Sequence, residues 1–224
     1  NQYSVVSRDA FNGIVLWRDN VADRSRIAGA DETRVYVSEG KDTVARDAAT
    51  GKVINNYGAL QGQLQILGDK LAVSVYHPLT VVDRATGKTL WSRPWQHHFP
   101  PAARGDILFI PGSTVEAVSV ADGKPVWKAS PPELQSVGGK VASIACKADA
   151  LYITFECTEN SNNVTRLVAM DAANGSVRWS DVRPRNNALV MPFSDQVWYA
   201  RVVKVKGEKG EREDYEFMAL DSRT

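Results

Sequence analysis

The stretch VVDRATGKTLW (Val81–Trp91) decides the fold, because the chain writes it five times with small changes. The other copies are SRDAFNGIVLW (Ser7–Trp17), ARDAATGKVIN (Ala45–Asn55), AVSVADGKPVW (Ala117–Trp127) and AMDAANGSVRW (Ala169–Trp179). A sixth copy opens at Ala219 as ALDSRT. The marker glycines Gly13, Gly51, Gly87, Gly123 and Gly175 are spaced 38, 36, 36 and 52 residues apart. Periods of this size suit a four-stranded propeller blade.

Between the markers lie short β-rich runs broken by turn residues, as in QLQILGDK, LAVSVYHP and LTVVDRATG. No stretch holds a 3.6-residue apolar period, so helix is expected to be scarce. With strands named A to D in blade order, one blade reads Gln63–Leu67, Leu71–Tyr76, Leu79–Asp83 and Lys88–Ser92. The chain then opens on strands C and D and runs through four complete blades. It continues with A (about 188–192), B (Val197–Lys204) and C (Tyr215–Asp221) of another.

Each repeat slot has a physical task. Asp9, Asp47, Asp83 and Asp171 precede a tight turn, where a short carboxylate accepts backbone N–H groups. The glycine four residues later supplies a positive φ. Trp17, Trp91, Trp127 and Trp179 follow four residues on and are expected to pack between blades, each indole N–H donating to a carbonyl. Asn55 takes the tryptophan slot in the second copy, which predicts a less apolar junction there. Ser119 takes the aspartate slot in the fourth copy, where Asp122 is the substitute carboxylate.

Composition narrows the function classes. The 224 residues are 43% hydrophobic and carry 27 basic against 26 acidic residues, a net charge of +1. That balance lacks the basic footprint of a nucleic-acid binder and the polybasic patch of a membrane binder. No apolar run reaches the length of a membrane-spanning helix. The first residue is Asn1 and not Met, which is read as a processed or excised N-terminus. Cys146 and Cys157 form no CxxC pair and are expected as free thiols, with a disulfide as the alternative.

The Ala-x-Asp-x-x-x-Gly-x-x-x-Trp pattern resembles the tryptophan-docking repeat of the pyrroloquinoline quinone (PQQ)-like propellers. That superfamily includes quinoprotein alcohol dehydrogenases and the non-enzymatic propeller lipoprotein of the outer-membrane barrel-assembly machinery. The opening SRDAFNGIVLW is also similar to PQQ-like repeat proteins of planctomycete-type bacteria. The resemblance implies an all-β propeller of four-stranded blades, with five to six visible here from a ring of seven or eight. The remaining blades would lie in the parent chain. Closure at five blades, the first strands joining the last, is the alternative. The whole chain, 1–224, is read as one propeller domain, with approximate blades 1–20, 21–56, 57–93, 94–129, 130–182 and 183–224. The resemblance also implies a periplasmic or otherwise extracytoplasmic location.

In such a propeller the D–A and B–C connections share one face. All three histidines map there: His77 in the turn YHPL, and His97 and His98 in RPWQHHFPP beside Trp95. The insertions KASPPELQSVGG, CTENSNNVT, DVRPRNN and KVKGEKGERED fall there too, the last as a mobile hairpin loop, and Arg24 and Arg26 lie in the first D–A connection. The face is therefore the candidate surface for a protein or glycan partner. Trp95 is the candidate for stacking on a sugar or aromatic ligand. Trp198 stands outside the repeat slots and is assigned to core packing. Arg183, Arg185, Asn186 and Asn187 make a donor cluster suited to carboxylate, phosphate or sugar oxygens. His97 and His98, adjacent on an extended chain, point to opposite sides, so no metal site is assigned.

The resemblance carries an enzymatic alternative. Quinoprotein dehydrogenases place a vicinal cysteine pair against PQQ and hold calcium beside a catalytic aspartate. No Cys–Cys occurs in this chain, and no compact acidic constellation is evident. The leading expectation is thus a non-catalytic scaffold without a cofactor, and the alternative is a part of a PQQ- and calcium-dependent oxidoreductase acting on alcohols or sugars.

Overall fold

The computed structural model describes residues 3–60, 62–74, 78–135, 139–159, 161–184, 190–193, 196–207 and 210–221. Every regular element among them is a strand except one 3-10 turn at Pro132–Leu134. Four complete sheets of four antiparallel strands follow one another in chain order. They are β3–β6 (Arg26–Ala30, Arg34–Glu39, Asp42–Asp47, Val53–Asn56) and β7–β10 (Gln63–Leu67, Lys70–Ser74, Leu79–Asp83, Thr89–Arg93). Then come β11–β14 (Ala102–Arg104, Ile107–Ile110, Val115–Ser119, Pro125–Ala129) and β15–β18 (Lys140–Lys147, Ala150–Glu159, Asn162–Asp171, Val177–Pro184). β1 (Tyr3–Arg8) and β2 (Val15–Val21) pair as C and D strands, and β19 (Val190–Phe193), β20 (Gln196–Gly207) and β21 (Gly210–Asp221) form an A–B–C sheet. The architecture is the all-β propeller blade series that the repeat predicts. The strands at the two ends belong to separate sheets, so the five-blade alternative, in which they share one, is not seen among the described residues.

The chain divides into two compact units, residues 1–100 with 120–122 and residues 101–119 with 123–224. In the first, Tyr36, Ala45, Leu64, Leu71, Val73 and Val82 form a buried cluster. In the second, Ala150, Tyr152, Leu167 and Ala169 do the same, with Trp179 against them. The second cluster comes from alternate residues of one blade's B and C strands, and the first joins B and C residues of two sheets with Leu64 of the A strand β7.

A second aromatic slot, in strand B, escaped the sequence reading. Phe109 in β12 lies 6.0 Å from Trp127 and Tyr152 in β16 lies 6.2 Å from Trp179, ring to ring. Tyr36 in β4 lies 6.0 Å from Tyr57. Trp198 occupies the same place in β20, opposite Ala219, which assigns it to this packing slot. The signal was present in VYV, LFI, LYI and VWY, each inside a B strand.

Three insertions expected as loops are strand in whole or in part, DVRPRNN as far as Pro184 of β18. The CTENSNNVT stretch continues β16 and β17 to the pair Glu159↔Asn162. KVKGEKGERED, expected as a mobile loop, continues β20 and β21 to Gly207↔Gly210. The register sets Lys204 across from Glu213 and Lys206 across from Glu211. Opposite charges at facing positions favour an antiparallel ladder, so a charge-rich run of this spacing extends the hairpin.

Candidate functional site

The repeat turns and the repeat tryptophans form one device. At Asp47 the carboxylate Oδ1 accepts the N–H of Ala49 at 3.1 Å, the N–H of Thr50 at 2.8 Å and the Thr50 hydroxyl at 2.8 Å. Asp83 repeats this with Ala85 and Thr86. At the turn of the fourth copy the Gly123 N–H donates to the Ser119 carbonyl at 2.9 Å, as Gly51 and Gly175 do to Asp47 and Asp171. The aspartate therefore reinforces a turn that the glycine already permits.

These hydrogen bonds, led by the Thr50 hydroxyl at Asp47 and the Thr86 hydroxyl at Asp83, hold both carboxyls below the ordinary aspartate range. A depressed carboxyl contributes stability that is complete above about pH 4 and is lost as pH falls through its lowered value. Asp83→Ala is accordingly expected to narrow the stability gap between neutral and acid pH. A pH series of urea midpoints on both proteins checks this, and parallel curves would contradict it.

Each turn then receives an aromatic ring. Trp17 Nε1 donates to the Ala48 carbonyl at 2.8 Å, Trp91 to Val120 at 2.8 Å and Trp127 to Ala172 at 3.1 Å. In every case the acceptor is the residue after the turn aspartate or its serine replacement. The ring also lies on the marker glycine. A Cβ added at Gly51 would stand 2.6 Å from Trp17 Cδ2, and one at Gly175 would stand 2.6 Å from Trp127 Cζ3. Glycine is thus needed twice, for φ near +73° and +76° and for the flat floor beneath the indole.

The second copy reaches the same end differently. Asn55 donates to the Ala85 carbonyl at 3.1 Å, and Tyr57 hydroxyl donates to the Arg84 carbonyl at 2.6 Å. Arg84 follows Asp83, so its carbonyl is the equivalent acceptor. A Cβ at Gly87 would meet Tyr57 Cδ1 at 3.2 Å. The junction expected to be less apolar is instead filled by an aromatic ring from two residues further on. Residues two apart point to the same side of an extended chain, which is the signal that locates Tyr57 from sequence. Tyr57→Phe is expected to cost about 0.5–1.5 kcal/mol through the lost hydrogen bond. Thermal unfolding measures it, and an unchanged midpoint would contradict the assignment.

Two arginines bind adjacent sheets of the first unit. Arg84 pairs with Asp31, donates Nε–H to Tyr36 hydroxyl at 2.6 Å and reaches the Gly68 carbonyl at 3.3 Å. Asp31 is partly buried, which raises its pKa, but the Thr33 and Arg34 donors and the Arg84 charge outweigh that and hold it low. Arg46, 6% exposed, joins Asp19 of β2 at 2.5 Å to Glu39 of β4 at 2.7 Å. In the second unit Arg178 bridges Asp149 and Asp171, both at 2.7 Å. Composition alone could not reveal these clasps, since each joins residues from different strands.

The loop-face candidates fare unevenly. Trp95, expected free on the surface for stacking, is 8% exposed. Its indole N–H donates to the Phe99 carbonyl at 3.2 Å, and its ring meets His97 at 4.8 Å and Phe99 at 6.5 Å. The RPWQHHFPP connection thus folds back on itself around Trp95. His97 is half-buried in that cluster and His98 is exposed. Trp95→Ala is therefore expected to cost about 3 kcal/mol, and His98→Ala to stay within about 0.5 kcal/mol. Urea denaturation of both variants tests this, with equal small losses as the contrary result. His77, Arg185, Asn186 and Asn187 lie outside the described residues, and Arg183 is placed by its backbone in β18. Arg24 and Arg26 are exposed, Arg24 at a φ of 66°.

The two cysteines do not make the vicinal pair that quinoprotein dehydrogenases place against PQQ. Cys146 and Cys157 are both free thiols. Cys146 pairs in register with Leu151. Cys157 lies six residues further along β16, a separation of about 20 Å. Burial pushes the Cys146 thiol up, so it stays protonated near neutrality. Among the described residues no three His, Cys, Asp or Glu side chains gather to hold a metal ion.

Residues 77–224 match the family described as outer membrane protein assembly factor BamB. The chain belongs to this family. BamB from Moraxella catarrhalis is similar in structure, with 14% identity, a TM-score of 0.52, and coverage of 98% of this chain and 80% of that one. A europium-containing methanol dehydrogenase has 13% identity and a TM-score of 0.58 over 90% of this chain and 51% of its own. The quinohemoprotein alcohol dehydrogenase ADHIIG from Pseudomonas putida HK5 has 16% identity and a TM-score of 0.52 over 87% and 40%. The chain thus spans about half or less of these two dehydrogenases. At such identities the likeness to BamB and to the enzymes shows a shared PQQ-like propeller fold. No curated protein matches the chain at a comparable level of significance. No helix among the described residues is long and apolar enough to cross a membrane.

Proposed function

We propose that this chain is part of a non-catalytic, extracytoplasmic PQQ-like propeller that binds a protein partner through its D–A/B–C loop face. The observation that carries the reading is the match of residues 77–224 to the BamB family of outer membrane protein assembly factors. The blade architecture supports it. Tryptophan-docking contacts, Arg46 and Arg84 make a rigid support, and the connections on one face carry the sequence variety. The protein partner is preferred to a glycan, because the aromatic ring offered for sugar stacking, Trp95, is buried.

The quinoprotein reading has the likeness to methanol and alcohol dehydrogenases behind it. It loses ground at the cysteines, which stand on different strands. Site-specific photo-crosslinkers in the full-length protein test the proposal. Placed in cells at His98 and Asn163, they are expected to give a discrete protein adduct. Placed at Lys52 and Thr86, on the opposite set of turns, they are expected to give none. Adducts confined to Lys52 and Thr86 would overturn the assignment of the face.

A further inference from the structure

We infer that the outer edge of β18 is a self-association site, which receives the same strand of a second copy of this chain in antiparallel register about Val182. The inference rests on strand geometry and not on the loop-face reading. β18 is the last strand in a sheet of order β15-β16-β17-β18, and among the described residues nothing pairs with its outer edge. A propeller leaves such edges on its rim whatever its number of blades, and ordinarily keeps them short. In the other complete sheets β6 runs one residue past the tryptophan slot to Asn56, and β10 and β14 run two, to Arg93 and Ala129. β18 runs five, from Trp179 to Pro184, because the DVRPRNN insertion lengthens it.

Two features prepare this edge for pairing. The ladder bulge lies at Arg178, between the pairs Ala169↔Trp179 and Met170↔Val177, so the strand is regular from Trp179 onward. Pro184 faces Val164 in the register, and a proline fits a ladder where its missing N–H would point away from the neighbouring strand. Main-chain direction alternates along a strand. Val182 and Ser180 therefore also turn their N–H and C=O groups outward, and both residues are exposed, Val182 at 40%.

The sequence SDVRP (Ser180–Pro184) names the occupant, because it is complementary to itself. With Val182 of one copy across from Val182 of another, a two-fold axis passes between them. Each Val182 N–H then donates to the other's carbonyl, and each Ser180 N–H donates to a Pro184 carbonyl. Asp181 falls opposite Arg183 on both sides of the axis. Opposite charges at facing positions favour a ladder, and like charges disfavour it. A slip of two residues either way keeps the main-chain directions but sets Asp181 against Asp181 or Arg183 against Arg183. One register is therefore selected. A two-fold pairing is closed, so it gives a dimer and no fibre. So short a paired stretch makes a small interface, and the association is expected to be weak and reversible.

Sedimentation velocity of the full-length protein over a concentration series tests the pairing. A reversible monomer–dimer equilibrium is expected. Asp181→Arg and Arg183→Asp each set like charges face to face, and each is expected to weaken the dimer about tenfold or more. The double variant D181R/R183D faces opposite charges again and is expected to recover the dimer. An equal mixture of the two single variants is expected to do the same. Val182→Pro removes the donors on the axis and is expected to leave a monomer with unchanged circular dichroism, since the fold does not use an outward N–H. The inference fails if the protein stays monomeric up to about 1 mM, or if the single variants dimerise as strongly as the unaltered protein. It fails equally if neither the double variant nor the mixture recovers the dimer. A loop-face crosslinking failure would leave these results untouched, so the two proposals fall separately.

Discussion

Trp127→Ala is expected to destabilise the protein by about 3–5 kcal/mol, the range for emptying a large aromatic site. Three contacts vanish together. The ring leaves Gly175, whose absent side chain makes the floor beneath it. It leaves Phe109, 6.0 Å away between centroids. The Ala172 carbonyl loses its indole donor at 3.1 Å. Trp127→Phe keeps an aromatic body but not the N–H, so about 1–2 kcal/mol is expected there. Urea unfolding of the two variants separates packing from hydrogen bonding. A loss below about 1 kcal/mol for the alanine variant would mean that the ring does not carry the junction.

The glycines give the second large effect, and a paired comparison isolates its cause. Gly13 and Gly175 share a positive φ, 73° and 76°. An added Cβ meets nothing within 4 Å at Gly13, whereas at Gly175 it stands 2.6 Å from Trp127 and 2.9 Å from Ala129. Gly13→Ala is therefore expected to cost about 1–2 kcal/mol, the left-handed backbone penalty alone. Gly175→Ala adds overpacking of about 1–3 kcal/mol and is expected to be clearly worse. Measured side by side, equal losses would show that φ alone explains the glycine. A Gly175→Ala, Trp127→Ala double variant should lose less than the sum of the singles, because removing the ring removes the clash.

Much of the fold was legible because the repeat states it. The fixed spacing from Asp83 through Gly87 to Trp91 located the C–D turn and the outer strand, and β7 and β9 fall where the alternation put them. What was missed depends on partners distant in sequence. Tyr57 substitutes for a tryptophan only because strand pairing brings it over Arg84, and that requires the neighbouring sheet. Arg46 looks like any charged strand residue until Asp19 and Glu39 arrive from two other strands. The extended β20–β21 hairpin was hidden by its charge, which resembles a solvated loop unless facing positions are compared.

The candidate site was less legible for a physical reason. Loop residues are chosen by what they meet, and a connection such as RPWQHHFPP can close on itself. Trp95 shows this, since its ring is satisfied by His97 and Phe99 within its own segment. Histidine and arginine content therefore pointed to a face and named no centre.

The central claim is that this PQQ-like propeller is a scaffold without quinone chemistry. Calorimetric titration of PQQ in the presence of calcium, on a sample that melts cooperatively, tests it most directly. The account predicts no saturable heat, whereas saturable binding at micromolar strength or tighter would contradict it and place the chain with the oxidoreductases.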